Sequence, residues 1–314
     1  MSSIESLLIT GSNGFIGQSF LTYLENLQEK ELPNKIVLVN RNKPVQLSPK
    51  LKNKSEVTFL RADLTKEWNF TLKVSHVLNL AGDGSSTAYS KDSAQNFVKI
   101  CNNLSDWVMI NRPKVIVHAS SGACFYDVFQ NKEFMNKANL IVSRLQGEKI
   151  LNQVKENLDV SVILARLFTF IGPNMLIKEQ YAAPLFIKEA VRNNLIKVTG
   201  DPGTVRSYMH ELTMADWLFK CLSMNKSQGI VSVGSSVPVT IQELVEFISL
   251  KTNSKITFES PNLEKSIYLP TIENELRHLG VSDGPKWQHS IEECINIYSK
   301  GGEHFGKYSR FKRR

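Results

Sequence analysis

The sequence is short of several things that would set a function class. No stretch approaches the roughly 18 consecutive apolar residues of a membrane-spanning helix. The N-terminus, Met-Ser-Ser-Ile-Glu, runs into a strand-like segment without a basic region or cleavage-like site, so no leader peptide is expected. Cysteine is scarce: Cys101, Cys124, Cys221 and Cys294 are scattered without metal-ligand spacing. That pattern argues against a metal site and fits a reducing, cytoplasmic setting. Internal repeats and low-complexity linkers are missing too. What is present is ordinary for a globular chain of 314 residues, 42% hydrophobic and 22% charged. That length suits one large α/β domain with a smaller lobe, or two ordinary domains.

The net charge is +8, and part of it sits in the tail Lys307-Tyr-Ser-Arg-Phe-Lys-Arg-Arg314. Such a tail could touch a membrane surface or nucleic acid, but a solvated terminus explains it more simply. Aromatic and basic residues do not interleave elsewhere, so no nucleic-acid partner is expected. A surplus of positive charge also suits ligands that carry pyrophosphate.

The first half alternates β-branched runs with longer amphipathic stretches. Strands are expected at 6–10, 36–40, 57–60, 76–80, 115–119 and 160–165. Such near-continuous apolar runs mark parallel strands buried on both faces, with crossover helices between them. After Gly14 the apolar residues Phe15, Ile16, Phe20, Leu21, Leu24 and Leu27 follow helical spacing. The pattern is that of a doubly wound parallel sheet. Beyond Gly172-Pro173 the rhythm changes. A helix is expected at 182–193, a strand at 205–209 and a strand at 230–233. Thr213-Met-Ala-Asp216, Thr240-Ile-Gln-Glu243 and Ser290-Ile-Glu-Glu293 read as capping boxes that open helices. A first domain is expected over 1–170, with 205–235 returning to it, and a smaller, mostly helical lobe over 171–204 and 236–314.

The sharpest feature is Thr10-Gly-Ser-Asn-Gly-Phe-Ile-Gly17 between a strand and a helix. Gly11 permits a sharp turn, Gly14 lets a pyrophosphate approach the backbone, and Gly17 lets helix and strand pack closely. The helix N-terminus then offers unpaired N–H groups to the anion. Asn13, Phe15 and Ile16 complete this dinucleotide turn of a Rossmann-type fold.

The glycine spacing resembles the extended short-chain dehydrogenase/reductases, in their nucleotide-sugar epimerase/dehydratase branch. Further segments resemble that family in the same order. Asp63, with Leu64 beside it, is similar to the acid that meets the adenine ring. Leu80-Ala81-Gly82 resembles the turn that passes under the cofactor, and Asn96 falls where the family often has asparagine. Ser120-Ser121-Gly-Ala-Cys-Phe-Tyr126 resembles the segment ending the fifth strand. Arg166-Leu-Phe-Thr-Phe-Ile-Gly172-Pro173 resembles the passage into the substrate lobe, and Arg206 to Asp216 resembles an Arg-x-Phe-x-x-Val-x-Asp segment.

The second strand ends Val39-Asn40-Arg41-Asn42-Lys43, without the carboxylate that binds a ribose 2′-hydroxyl. Arg41 can pair with a 2′-phosphate, which tilts the choice from NAD toward NADP. The resemblance implies a Tyr-x-x-x-Lys pair on the helix after the fifth strand. The segment Asn139-Leu-Ile-Val-Ser-Arg-Leu-Gln-Gly-Glu148 carries Leu140 and Arg144 in that register. Leucine has no proton to exchange, whereas Arg144 can still donate to ribose hydroxyls as a cofactor contact. Tyr308-Ser-Arg-Phe-Lys312 repeats the spacing but follows no strand, and reads as chance. Ser121 keeps its implied catalytic place, and Tyr126 is a candidate substitute acid/base. Asp83, Tyr181, Arg206 and His210 fall in segments that meet the substrate in the family. His118, inside the fifth strand, reads as a core histidine.

Two readings follow. One is an NAD(P)-dependent epimerase, dehydratase or ketoreductase acting on a nucleotide sugar, for instance in surface polysaccharide synthesis. The other is a pseudoenzyme that binds NAD(P) or a sugar nucleotide as sensor or scaffold. The resemblance also implies homodimers through the helices around 96–109 and 139–151. Phe97, Ile100, Leu104 and Trp107 could build that face or belong to the core.

Overall fold

The computed structural model describes residues 4–41, 47–82, 89–126, 135–175, 181–224, 229–259 and 265–300. The chain divides into two compact units, Met1–Leu167 with Ala215–Ser232, and Phe168–Met214 with Val233–Arg314. The segment 205–214, expected with the first unit, falls in the second.

The first unit begins with strand β1 (Ser6–Thr10), helix α1 (Phe15–Asn26), β2 (Lys35–Asn40), the short α2 (Pro49–Lys54) and β3 (Glu56–Arg61). It continues through β4 (His76–Asn79), α3 (Lys91–Asn111), β5 (Val115–Ser121), α4 (Ala138–Asn157) and β6 (Ser161–Leu167). After an excursion into the second unit, the chain returns with α6 (Glu211–Leu222), mostly in this unit, and β11 (Gly229–Val233). These seven strands form one sheet, ordered β11-β6-β5-β4-β1-β2-β3. The pairings from β3 to β6 are all parallel. The order runs outward both ways from β1 and β4, which is the doubly wound pattern.

Burial follows position in the sheet. All five residues of β1 are buried, whereas β3, the edge strand, has only partly or fully exposed residues. One face carries a core of Leu8, Val37, Val77, Ile116, Val162 and Leu164, covered by α3 and α4 through Ile100, Leu104, Trp107, Leu151 and Val154. Phe97, Ile100, Leu104 and Trp107 are at most 8% exposed, so they are core and not an outward face.

The second unit holds β7 (Phe170–Ile171), α5 (Ala182–Asn193), β8 (Leu195–Val198), β9 (Val205–Arg206), β10 (Met209–His210), β12 (Val239–Thr240), α7 (Ile241–Thr252), β13 (Lys255–Phe258), α8 (Glu273–His278) and α9 (Trp287–Ser299). Among the described residues its strands make only two-stranded ribbons. The single strand expected at 205–209 is two short ones with different partners: β9 runs antiparallel to β12, and β10 parallel to β7.

Of the three expected capping boxes, one forms. Thr240 Oγ1 accepts from the Glu243 N–H at 3.1 Å, and Glu243 Oε2 accepts from the Thr240 N–H at 2.7 Å. Thr213 lies inside α6, which starts at Glu211. Ser290 lies inside α9, whose extended N-cap is Lys286, just after Pro285. There the S-x-x-E spacing falls within a helix already begun, so the Ser290 hydroxyl is buried and caps nothing.

Gly11 sits at φ +69°, the left-handed region that a side chain disfavours. A Cβ on Gly17 would lie 2.5 Å from Ser12 Cα and 2.7 Å from the Gly11 carbonyl oxygen, so α1 leaves the turn in backbone contact with it. Glycine-to-alanine in a helix interior ordinarily stabilises by about 0.5–1 kcal/mol. At Gly17 the sign reverses: Gly17→Ala is expected to cost about 1–3 kcal/mol of overpacking, read as a lower urea midpoint at unchanged slope.

Candidate active site

The glycine turn is built from both sides. Gly14 N–H donates to the Gly11 carbonyl at 3.0 Å, closing the turn. Asn40, at the end of β2, braces it: its Nδ2 donates to Ser12 Oγ at 2.7 Å and its Oδ1 accepts from the Asn13 N–H at 3.3 Å. Gly14 is the N-cap of α1, with no side-chain cap and no acid in the first turn. A Cβ added there would meet only the Gly11 oxygen, at 3.3 Å, on its protein side. Asn13 and Gly14 are exposed, and Phe15 and Ile16 half-buried. A pyrophosphate fits this bed, because uncapped N–H groups face a surface with no side chain at Gly14.

The bed's second wall is the turn after β4. Thr10 Oγ1 accepts from the backbone N–H groups of Leu80 and Ala81, each at 3.1 Å, and donates to Asn79 Oδ1 at 2.5 Å. Asn79 Nδ2 then donates to His118 Nδ1 at 2.8 Å, and His118 Nε2 faces Cys101 Sγ at 3.9 Å. Thr10, Asn79, His118 and Cys101 are fully buried. Burial, with the Arg144 charge adding to it, pushes His118 down to about 3, so the ring is neutral and Nδ1 is its acceptor. Burial likewise lifts the Cys101 thiol to about 12. His118 is thus a core histidine, and it fastens β5 to β4 beneath the bed.

Arg144 closes the bed from α4. Its guanidinium lies over the Phe97 ring, 3.4 Å from the centroid, and is 9% exposed. A Cβ on Gly82 would come within 3.2 Å of an Arg144 terminal nitrogen. The arginine is therefore held against the Leu80-Ala81-Gly82 turn by cation–π packing. Leu140, one turn earlier on α4, is half-buried.

At the end of β5, Ser121 Oγ accepts from the Ala123 N–H at 3.2 Å and caps the 3-10 turn Gly122–Phe125, with Tyr126 at its far end. Both residues are half-exposed. Behind them is a buried ion pair that sequence patterns did not pick out. Arg166 grips Glu148 with two nitrogens, Nε to Oε1 at 3.0 Å and a terminal nitrogen to Oε2 at 2.7 Å. Ser120 Oγ donates to Glu148 Oε1 at 2.5 Å, and the Phe125 ring covers the guanidinium at 4.3 Å. The side chains of Arg166 and Glu148 are 8% and 5% exposed. In the sequence Arg166 heads the family-like passage 166–173 and Glu148 ends the family-like segment 139–148, but nothing there pairs the two.

On the adenosine side, Asp63 Oδ1 accepts from the Thr65 hydroxyl at 2.8 Å and the Thr65 N–H at 3.1 Å. Those bonds, with smaller help from the Arg41 and Lys66 charges, hold its carboxyl below the usual range. Leu64 is buried in the core, and its carbonyl accepts from Trp68 and Asn103. Arg41 is exposed at the end of β2. Asp83 lies outside the described residues, as do Lys43 and the basic tail.

Tyr181, Arg206 and His210 belong to the second unit. Tyr181 is the N-cap of α5 and 36% exposed. Arg206 donates to the Val205 carbonyl at 2.8 Å and to Ser266 Oγ at 3.0 Å, beside the Tyr268 ring. His210 is more occupied than a ligand-facing histidine would be. Its Nδ1 accepts from the Leu212 N–H at the start of α6 at 3.1 Å, and its Nε2 meets Glu293 Oε2 of α9 at 3.0 Å, so both ring nitrogens are engaged by the protein.

The profile of the NAD dependent epimerase/dehydratase family matches residues 7–234, from β1 to the end of β11. The chain belongs to that family. This epimerase/dehydratase chain is 22% identical over 277 residues to the dTDP-4-dehydro-6-deoxyglucose reductase of Escherichia coli, covering 81% of its own length and 85% of the relative's. Among solved structures it resembles a UDP-N-acetylglucosamine 4-epimerase from Methanobrevibacter ruminantium in complex with UDP-N-acetylmuramic acid. That match has a TM-score of 0.78 and 19% identity, covering 96% of this chain and 100% of the other. It also resembles MoeE5 in complex with UDP-glucose and NAD, at TM-score 0.77 and 18% identity, over 94% and 99% of the two chains. At these identities the structural matches speak for the fold alone. Among the described residues no group of acidic, histidine and cysteine side chains is placed to hold a metal ion, and no helix is long and apolar enough to cross a membrane.

The buried pair sets the energetic stake at the end of β5. Glu148→Ala strands a desolvated guanidinium and is expected to cost about 3–5 kcal/mol. The apolar double variant Glu148→Leu/Arg166→Met is expected to recover most of that. Urea unfolding of the two variants against the parent checks the order; equal losses in both would contradict it.

Proposed function

We propose that this chain is an enzyme acting on a nucleotide-activated sugar, an epimerase, dehydratase or ketoreductase, with a nicotinamide dinucleotide held by its first unit. The observation that carries the reading is the intact dinucleotide bed. It has an open α1 N-terminus at Gly14, a brace at Asn40, a wall anchored by Thr10, and Arg144 packed against Gly82. The relatives named above supply the substrate class: a dTDP-sugar reductase, a UDP-sugar 4-epimerase, and a protein complexed with UDP-glucose and NAD. Synthesis of a surface polysaccharide is a natural setting for such a reaction.

A bound nicotinamide would supply hydride acceptance and return. The protein's part is to bind, orient and move protons. Gly11, Asn13, Gly14, Phe15, Ile16 and Gly17 hold the pyrophosphate. Asp63 and Leu64 serve the adenine end, and Leu80, Ala81 and Gly82 line the bed. Arg144 donates to the nicotinamide ribose hydroxyls from its seat on Phe97. Because Leu140 cannot exchange a proton, the acid/base work falls to Tyr126, with Ser121 hydrogen-bonding the reacting oxygen beside it. In the second unit, Arg206 takes the pyrophosphate of the sugar nucleotide, and Tyr181 and His210 contact the sugar, His210 through its ring surface. Asp83 remains assigned to the substrate. Arg41 tilts the cofactor choice toward NADP. The four free cysteines favour a reducing, cytoplasmic setting.

The test gives purified protein NADH or NADPH with a panel of UDP- and dTDP-sugars, following nicotinamide absorbance and separating the sugars by chromatography. Turnover of at least one sugar is expected, with Tyr126→Phe lowering kcat by about 10²–10⁴. Binding of cofactor without turnover of any sugar, in the parent and in Leu140→Tyr/Arg144→Lys alike, would overturn the enzyme in favour of a sensor or scaffold.

A homodimer through α3 and α4 belongs to the same reading. It is supported by apolar side chains that these helices leave exposed, Val142 at 57%, Leu145 at 41% and Ile110 at 75%. Sedimentation is expected to give a dimer in the parent and a monomer in Leu145→Glu; a monomeric parent would dismiss the contact.

A further inference from the structure

We infer that Arg61 is a second arm of a 2′-phosphate site, so that Arg41 and Arg61 together select NADP(H) over NAD(H). The inference rests on the reading of the first unit as a dinucleotide site and goes further by naming what discriminates the two cofactors.

In such folds the adenosine ribose lies over the end of the second strand, where a carboxylate accepts a bond from a free 2′-hydroxyl. Here that position has no acceptor to spare. Asn40 is 8% exposed, and its carboxamide is committed to Ser12 and Asn13 of the glycine turn. The next residue is Arg41.

The third strand then adds a charge that reading along the second strand does not reveal. β3 pairs with β2 in the register Asn40↔Arg61. Residues paired across neighbouring strands project from the same face of the sheet. Arg61 therefore leaves the sheet on the face where Asn40 meets the glycine turn. Its Nε donates to the Arg41 carbonyl at 3.3 Å, which folds the side chain across the end of β2. That is the only hydrogen bond its guanidinium makes among the described residues, and Arg61 is exposed. The residue whose carbonyl it bonds, Arg41, is also an exposed arginine.

The surrounding charges agree. Among the described residues, both Arg41 and Lys66 act on the Asp63 carboxylate. That carboxylate is turned into its own loop by the Thr65 hydroxyl and N–H. Two exposed guanidinium groups beside an engaged carboxylate make a place for a dianion. A phosphomonoester on the ribose matches it, because each guanidinium offers paired N–H donors to phosphate oxygens. Stacking of either arginine on the adenine would serve NAD and NADP equally, so the two roles separate by experiment.

Isothermal titration calorimetry of the full chain with NADP⁺, NAD⁺, adenosine 2′,5′-bisphosphate and 5′-AMP is the test. At low salt NADP⁺ is expected to bind at least about tenfold tighter than NAD⁺, and the bisphosphate to outbind 5′-AMP by a similar factor. Arg61→Ala should weaken NADP⁺ and the bisphosphate by roughly fivefold or more and leave NAD⁺ within about twofold. Arg61→Lys should restore part of the loss, and an unchanged melting midpoint confirms that both variants are folded. Equal weakening of both dinucleotides, or no change in either, overturns the role of Arg61 and leaves the dinucleotide reading standing. If neither dinucleotide binds the parent, both readings fall.

Discussion

A single buried hydroxyl organises the cofactor side of this protein. Thr10 ends the first strand with no exposure to solvent, yet its oxygen serves three partners: the N–H groups of Leu80 and Ala81, and the Asn79 carboxamide. Any strand end must satisfy the backbone groups that leave the ladder. Here β4 does so through a side chain of its neighbour, which sets the path of Leu80-Ala81-Gly82 against the glycine turn. A Cβ at Gly11 would lie 2.7 Å from the Leu80 oxygen, so the two turns are nearly touching. The ladder then continues to His118 and Cys101. It joins three strands and α3 in one hydrogen-bonded chain that solvent does not reach. In a low-dielectric interior such a chain is strong when complete and costly when broken at any link.

The fifth strand is handled differently, with formal charge. Glu148 on α4 binds Arg166 on β6 and Ser120 on β5, so one carboxylate joins three elements. Ion pairs of this depth contribute little net stability compared with an apolar replacement, because desolvation offsets the attraction. What the pair does supply is geometry. A bidentate grip has one orientation, and it holds the face of α4 that carries Arg144 at a fixed height along the end of β5. Gly147 serves the same end, since a Cβ there would lie 2.7 Å from Cys101 Sγ and 2.8 Å from the Phe97 ring. The spacing between α3 and α4 is therefore set by a missing side chain, and the stacking of Arg144 on Phe97 depends on it.

Much of this was legible in the amino-acid order, and the exceptions have physical reasons. The apolar runs located β1, β2, β4, β5 and β6 to within a residue or two, because strands buried on both faces tolerate few other residue types. The glycine turn announced itself through three positions that each do a separate steric job. Thr213 and Ser290 misled because a capping pattern needs an extended residue at its head, and spacing alone does not carry backbone conformation. Thr240 has that conformation, with φ −74° and ψ 156°. The four apolar residues of α3 could have faced a partner or the core, and only the packing of α4 against them decided it. The role of Arg61 and the pairing of Glu148 with Arg166 were silent for another reason. Their meaning comes from pairing register and from neighbours far along the chain, and a local window does not hold that information.

The position of β11 bears on how the protein is made. The sheet is not closed at β6 until residues 229–233 arrive, after the whole of 168–214 has gone to the second unit. Tyr23 on α1 likewise waits for Asp216, 193 residues away, before its hydroxyl finds its 2.7 Å partner. On a ribosome adding about 5–20 residues per second, the edge of β6 would stand unpaired for several seconds after its own synthesis. β6 is apolar over most of its length and buried from Val162 onward in the finished fold. An open edge of that kind invites other strands. Nascent chains of this protein therefore pass through an interval in which a chaperone, or rapid local order in the residues that follow, must shield that edge. A fragment that stops near residue 170 never leaves the interval at all.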